Sequence, residues 1–344
     1  MRAYKKLVLM SLYIWMACSV IFPAQAWARK TSFIVVCAET GKVYTASDPD
    51  HPIPPASLTK MMTLYLTFKA LREGKLTMNQ NLSISHHATL QQPSKLWLKK
   101  GGTLTVRQAI LGMVTKSAND ATVVLAEALG KGSEKIFAVH MTNQAHKLGM
   151  KNTVFKNASG LPNKRQITTA RDMATLSRAL YKHFPEYFKF FSTKEFRYGK
   201  TVHRNHNHLL GKIKGVDGIK TGFTCASGFN LAASIVRNNH RIIAVVLGGE
   251  TRHARDKKMT NLLEAAYTKI QGNPGKSRPS IRGLIHAHTL STQKPPKKPT
   301  LKKHRKHRKK TKLIKANYST LNELFHDLEA SSSRPLSSLP LRAH

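Results

Sequence analysis

Ser57 and Lys60 stand three residues apart in PPASLTKMMTLYLTFKAL, where turn-forming residues give way to a helix-like apolar pattern. A hydroxyl and an ammonium one helical turn apart project from the same face and come within reach of each other. The pair has two readings. Either Ser57 caps a helix and Lys60 is solvated, or a neutral Lys60 takes the proton of Ser57 and makes it a nucleophile. The second reading needs a lysine pKa of roughly 7–8 instead of about 10.4, which costs about 4 kcal/mol; burial and a nearby like charge can supply that. It also needs donors for a developing oxyanion, and the unpaired backbone N–H groups at a helix start are suited to the task.

Two further strings bear on the choice. KSANDA supplies Ser117 and Asn119 between two helical patterns, and DGIKTGFT supplies Lys220, Thr221 and Gly222 on a predicted strand. By themselves they read as a capping turn before DATVVLAEAL and as a plain strand end. Together the chain carries Ser-x-x-Lys, Ser-x-Asn and Lys-Thr-Gly in that order, with helix, loop and strand contexts. Lys220 is then the candidate like charge for Lys60. His203, His206 and His208 in HRNHNH form the other cluster of chemistry-bearing side chains. No metal and no cofactor is expected. Cys225, just after the Lys-Thr-Gly strand, reads as a small core residue rather than a redox switch.

The elements that must position these residues follow from periodicity. SFIVVCAETGKVYTASDPD predicts two short strands around a turn at Glu39–Gly41, and helical spacing runs from Leu58 through Leu71. TVRQAILGMV, DATVVLAEALG, SEKIFAVHMTNQAHKLGM (stopped by Gly149) and TARDMATLSRALYKHF (with Pro185 beyond its end) predict further helices. Strands return in GVDGIKTGFT, NLAASIVRNN and HRIIAVVLGGE, with Asn238-Asn239 as a hairpin turn, and ARDKKMTNLLEAAYTKI closes as a helix. Strands, a block of helices, antiparallel strands and a last helix predict an α+β fold rather than a βαβ repeat.

The 344 residues carry 57 Lys and Arg against 17 Asp and Glu, a formal charge of +40. Such a balance predicts attraction to a polyanion. At the N-terminus, Arg2, Lys5 and Lys6 precede an apolar run from Leu7 to Phe22 and small-residue sites at Ala24–Ala26 and Ala26–Ala28. This is the layout of a secretory signal peptide, residues 1–28, cleaved after Ala26 or Ala28, with an uncleaved anchor as the alternative. The mature chain would keep only Cys37 and Cys225, too few for a disulfide scaffold. Export also removes nucleic acid from the expected partners. No Asp or Glu lies between Glu264 and Glu323, a span holding KPPKKPTLKKHRKHRKKTK, so residues 273–316 read as a solvated, self-repelling linker. The tail, 317–344, holds YSTLNELFHDLEA. There Thr320 and Glu323 form a capping box, Leu321, Leu324, Phe325 and Leu328 share one face, and Glu323, Asp327 and Glu329 make the other acidic.

With its three ordered motifs and the strings FKNASGLPN, TTARDMATLS, HNHLLGKIKGVDGIKTGFTCASGFNLAAS and VVLGG, the chain over roughly residues 30–271 resembles the serine-type D-alanyl-D-alanine carboxypeptidases, the low-molecular-mass penicillin-binding proteins. The resemblance implies a catalytic domain over 29–272 with the β-lactamase/penicillin-binding-protein-like fold. That fold has a five-stranded antiparallel sheet flanked by helices and a groove along the strand bearing Lys220. It implies Ser57 as nucleophile and Lys60 as its base. Ser117 would relay a proton to the leaving amine, and Asn119 would orient Lys60 and the substrate backbone. Lys220 and Thr221 would meet a terminal carboxylate, Gly222 would let substrate lie flat along the strand, and the Phe223 N–H would be the second oxyanion donor. The implied substrate is a peptidoglycan stem peptide ending in D-Ala-D-Ala, with β-lactams as covalent inhibitors. Some relatives carry arginine where His206 stands, which leaves one carboxylate contact open. The class A β-lactamase pattern, a glutamate four residues before an asparagine, is missing. Glu127, Glu134, Glu186 and Glu195 are followed at that spacing by Lys131, Ala138, Phe190 and Gly199. A D,D-endopeptidase would use the same residues and stays open, as does a non-catalytic basic envelope-binding protein.

Overall fold

The structure is a computed structural model and describes residues 31–271. The expected signal peptide (1–28), basic linker (273–316) and tail helix (317–344) lie outside the described residues.

Apolar, β-branched runs at the two ends of the described chain build a single sheet from residues far apart in sequence. β1 (Ser32–Cys37) and β2 (Val43–Ser47) come first; β7 (Val216–Thr224), β8 (Gly228–Arg237) and β9 (His240–Gly249) come after the helices. The five strands are ordered β2-β1-β9-β8-β7, and every pairing is antiparallel. β1 lies in register with β9, Phe33 opposite Val246 and Val35 opposite Ala244. Asn238 and Asn239 both take positive φ, 47° and 58°, the left-handed pair a two-residue hairpin between twisted strands requires.

Side chains alternate across this sheet with the strand period of two. On β9, Ile243, Val245 and Leu247 pack against the helical block, while Ile242, Ala244 and Val246 face the last helix, Arg252–Gln271. That helix returns Met259, Leu263, Ala266 and Tyr267 to the same face. The helical block consists of α1 (Lys60–Arg72), α2 (His86–Thr89), α3 (Val106–Thr115), α4 (Asn119–Leu129), α5 (Glu134–Lys147), α6 (Ala170–His183) and α7 (Pro185–Phe188); the last helix is α8. α1 is buried over most of its circumference, and Phe68 sits among Phe184, Tyr187, Phe190 and Phe191. A side chain of that kind contributes about 1.5–3 kcal/mol by burial alone, so the position of α1 is well anchored.

Two small sheets have no counterpart in the sequence reading. β3 (Asn81–Ser83) pairs with β4 (Thr103–Thr105), and β5 (Glu195–Tyr198) pairs with β6 (Thr201–Arg204). Strands of three or four residues are too short to show a period of two. Pro185, read as a terminator of α6, also opens α7 at its first position, where the missing N–H costs nothing.

Candidate active site

The chain does not enter α1 through a serine cap. Ala56–Thr59 form one 3₁₀ turn, α1 begins at Lys60, and neither end residue makes a side-chain capping bond. Ser57 is therefore held in a tight turn with its hydroxyl free for other use. The solvated reading of Lys60 fails as well, because its side chain is fully buried.

Three groups meet the Lys60 ammonium nitrogen. Asn119 Oδ1 and the Ser159 carbonyl oxygen each lie 2.6 Å from Nζ, and Ser57 Oγ lies at 3.2 Å. The first two are carbonyl-type oxygens that can only accept. A neutral amine has two N–H bonds and one lone pair, so these acceptors take both hydrogens and leave the lone pair directed at Ser57. Burial favours that neutral form and pushes Lys60 well below the usual lysine range; the neighbouring charge of Lys220 pushes the same way, against the opposing pull of Asp120 and Glu134. A lysine pushed toward its neutral form beside a serine hydroxyl is an arrangement that can serve nucleophilic serine chemistry as its base.

Asn119 is itself held from behind. Its amide Nδ2 donates to the Gln92 carbonyl (2.8 Å) and its backbone N–H to the Ser94 carbonyl (2.7 Å). The same loop is tied down by the adjacent buried Asp120, whose carboxylate accepts from the Leu96 and Leu98 amides at 3.0 and 3.2 Å. Ser117 takes φ 59°, an uncommon conformation for a non-glycine residue, and its buried Oγ has no hydrogen-bond partner among the described residues. A strained residue with an unsatisfied buried hydroxyl on a cavity wall has its hydrogen-bonding capacity left for a group entering the cavity.

The Lys-Thr-Gly segment lies on β7, the edge strand, whose outer backbone groups are not used by β8. Lys220 is buried and donates to the Thr221 carbonyl at 3.0 Å; burial, then the charge of Arg255, lowers its pKa to about 7. Gly222 also has a reason within the fold. A side chain there would sit 3.0 Å from the Ser57 nitrogen and 3.0 Å from Leu58 Cδ1, so the glycine lets β7 press against the nucleophile turn itself. Phe223 follows, half exposed and packed over Phe229 with ring centroids 4.3 Å apart.

Ser57, Ser117, Asn119, Thr221, Gly222 and Phe223 line one cavity of about 390 Å³. Lys60 and Lys220 are buried at its wall through their bonds to Asn119 and Thr221. All eight predicted residues are therefore brought together. Arg252, Arg255, His206 and His208 also line the cavity, and no Asp or Glu among the described residues does. This gives the lining a cationic character, although Arg255 is paired with Asp256 at 2.8 Å. His206 is pushed down to about 4 by burial first, then by Lys220, Lys116, Arg252 and His208, so at neutral pH it is an uncharged neighbour and the two arginines carry the charge. His203 is buried and is not among the residues lining this cavity, and the described residues contain no cluster of three or more His, Cys, Asp or Glu side chains placed to hold a metal ion.

Sequence reasoning passed over the loop in FKNASGLPN. Ser159 supplies the carbonyl that holds Lys60, and Gly160 (φ +88°) packs against the Ala56–Ser57 peptide so closely that any Cβ would enter the Ala56 carbonyl. Glu134 fixes this loop by accepting from the Ala158 N–H at 2.9 Å. A backbone acceptor leaves no residue-type signature, and the glycine followed by Leu-Pro-Asn was the only available hint. Asn230 is another such residue: its buried amide reaches the Pro54 and Pro55 carbonyls, both at 3.3 Å, and so ties β8 to the turn that carries Ser57.

A family model described as D-alanyl-D-alanine carboxypeptidase matches residues 21–251. The chain is 35% identical over 248 residues to D-alanyl-D-alanine carboxypeptidase DacF of Bacillus subtilis, covering 71% of this chain and 63% of that protein. Its fold is similar to that of penicillin-binding protein 5 from Haemophilus influenzae (TM-score 0.67, 35% identity, 72% of this chain and 73% of that one). It is also similar to penicillin-binding protein D2 from Listeria monocytogenes in an ampicillin-bound form (TM-score 0.63, 32% identity, 69% of this chain and 96% of that one). The chain spans about three fifths of the length of the curated relatives it matches.

Proposed function

The chain belongs to the D-alanyl-D-alanine carboxypeptidase family, and from that premise we propose that it removes the terminal D-alanine from peptidoglycan stem peptides through an acyl-enzyme on Ser57. The observation that carries this reading is the set of three contacts to Lys60 Nζ, in which a neutral amine donates to Asn119 Oδ1 and the Ser159 carbonyl and can accept from the Ser57 hydroxyl.

Neutral Lys60 takes the proton as Ser57 Oγ attacks the carbonyl of the penultimate D-alanine. The Ser57 and Phe223 backbone N–H groups meet the oxyanion. Ser117 passes the proton on to the departing amine, the C–N bond breaks, and D-alanine leaves. Water then attacks the ester, gives up a proton to Lys60, and frees Ser57. Asn119 holds Lys60 in place throughout and faces the substrate backbone. The free carboxylate of the substrate is drawn to Lys220 and Thr221, with Arg252 and Arg255 in the same cavity lining. With no carboxylate from the described residues in the cavity wall, and no glutamate four residues before an asparagine between the second and third motifs, β-lactams acylate Ser57 and leave slowly.

The test is release of D-alanine from an acyl peptide ending in D-Ala-D-Ala, beside an all-L peptide and a peptide capped as the C-terminal amide. The D,D peptide is expected to be cleaved and the L peptide spared. Capping removes a charged contact and should lower kcat/KM by about tenfold or more. Equal cleavage of capped and free peptides would replace the carboxypeptidase reading with the endopeptidase one.

The proposal extends to location. The enzyme works outside the cytoplasmic membrane after export by residues 1–28, and the basic block in 273–316 holds it to anionic envelope polymers or lipid headgroups. No helix among the described residues is long and apolar enough to cross a membrane. Near an anionic membrane each Lys or Arg contributes about 1 kcal/mol, screened by salt. Full-length mature protein should therefore sediment with anionic vesicles at low salt and be released at high salt. Salt-insensitive sedimentation, or equal binding by a chain ending near Gly272, sinks this part of the reading.

A further inference from the structure

Leu90 and Trp97 are the most exposed large apolar side chains among the described residues, at 65% and 68%. Both lie in the segment 90–101, which follows α2, and Lys95 joins them. Its Nζ donates to the Thr89 and Gln91 carbonyls on either side of Leu90, at 2.9 and 3.0 Å, and stands 4.6 Å from the centroid of the Trp97 ring. The two side chains therefore belong to one patch. Trp97 is held out rigidly. Leu96 and Leu98 beside it are buried, and their amides donate to the two oxygens of the buried Asp120 carboxylate. Between these clamps Trp97 takes φ 64°, a left-handed conformation that is strained for a bulky residue. Strain of this kind persists only where the surrounding structure enforces it, and it clusters at segments that bind or switch.

The surroundings are cationic. Lys99 and Lys100 follow in the same segment and His86 and His87 stand on α2, all four exposed. The acids that reach α2 are engaged: Glu127 accepts from Ser85 Oγ and Glu134 meets His87, each at 2.9 Å. Neither Leu90 nor Trp97 lines the catalytic cavity, although Pro93 and Ser94 of the same segment do. The patch is a projecting apolar tip with cations around it, and a tip does not enclose a small ligand as a cleft does. Its complement is a soft surface with an anionic layer over an apolar one, where an indole sits at headgroup level and lysines reach phosphates. We propose that residues 90–101 form a membrane-contact surface of the catalytic domain: Leu90 and Trp97 enter the interface of an anionic bilayer, and Lys99 and Lys100 pair with its headgroups. This contact rests on the export reading for its setting but is separate from the basic block in 273–316. It places the catalytic cavity beside the bilayer, because Pro93 and Ser94 belong to both.

The chain has three tryptophans, Trp15, Trp27 and Trp97, so the mature protein from residue 29 onward carries Trp97 alone and its fluorescence reports this surface. It is mixed at low salt with vesicles of phosphatidylcholine and phosphatidylglycerol, with and without brominated acyl chains. Trp97 emission is expected to shift to the blue and to be quenched by the brominated lipid. In the Leu90→Ser/Lys99→Glu/Lys100→Glu variant the lipid concentration for half-maximal quenching should rise about tenfold or more. All three positions are exposed, so the melting temperature and β-lactam acylation of Ser57 in solution should stay at the parent level. The readouts are separate, because sedimentation with vesicles reports the basic block and Trp97 emission reports this segment. Trp97 that keeps its solution emission at every lipid concentration overturns the proposal, whether or not the protein sediments. So does a variant quenched at the same lipid concentration as the parent. A blue shift caused by soluble peptidoglycan glycan fragments and not by vesicles makes the patch a sugar platform and overturns the lipid reading as well.

Discussion

Ser57→Ala will take no mass adduct from a β-lactam under conditions in which the parent protein is acylated, and its release of D-alanine will fall by about 10⁴ or more, as when a nucleophilic serine is removed from a comparable apparatus. The size of the effect follows from where Ser57 stands. Its Oγ is the hydroxyl 3.2 Å from the buried Lys60 amine, and it lines the cavity that Thr221 and Phe223 also line. Ser117 lines that cavity too, but its Oγ has no hydrogen-bond partner among the described residues, whereas Ser57 Oγ has the Lys60 amine beside it. The substitution leaves the fold alone. Packing in the turn comes from Ala56 and Leu58, both buried, and the Ser57 hydroxyl caps no helix. Intact mass and melting temperature read the two statements separately. An adduct of full stoichiometry on the alanine variant, with its melting temperature unchanged, would sink the nucleophile assignment.

The parts of this site that could be read in the sequence are those that local geometry dictates. Ser57 and Lys60 sit one turn apart, and a helical period makes that spacing meaningful before any tertiary contact is known. Lys220, Thr221 and Gly222 alternate along a strand, and the Asn238-Asn239 turn announces the hairpin beside it. What could not be read is whatever depends on backbone atoms meeting over long sequence separations. The acceptor that turns Lys60 toward Ser57 is a main-chain oxygen at residue 159, ninety-nine positions away. Gly222 was legible as a necessary glycine, but the surface it must avoid, the Ser57 amide, belongs to another element. The open contact at His206 has the same character. The sequence shows a histidine at 206, where the resemblance implies arginine in some relatives, and only the return of α8 across the sheet brings Arg252 and Arg255 to the same cavity. Sheet order was equally hidden, because β1 pairs with β9 and no pattern within either strand names its partner.

Lys60→Arg should lower acylation of Ser57 by about 10² or more, even though the positive charge is preserved. Conservation of charge is the fault. Burial and the charge of Lys220 push the parent side chain toward its neutral form, whereas a guanidinium in the same place stays protonated and keeps no lone pair. It would also have to fit its extra donors between Asn119 Oδ1 and the Ser159 carbonyl, where two N–H groups already suffice. The pH dependence of the parent enzyme gives an independent check with a definite sign. A base with a lowered pKa is active above that pKa, so kcat/KM rises with pH through the titration of Lys60. Lys220 acts in the opposite sense: it attracts the substrate carboxylate only while protonated, and in the free enzyme it loses its proton at about 7. For a peptide with a free C-terminus the profile should therefore be a bell with its alkaline limb at about 7. For the amide-capped peptide, which has no carboxylate for Lys220 to meet, that limb should vanish while the acid limb remains. Near-parental acylation by the arginine variant would remove Lys60 as the base. An alkaline limb that persists unchanged with the capped peptide would detach Lys220 from the carboxylate and leave its low pKa a property of burial alone.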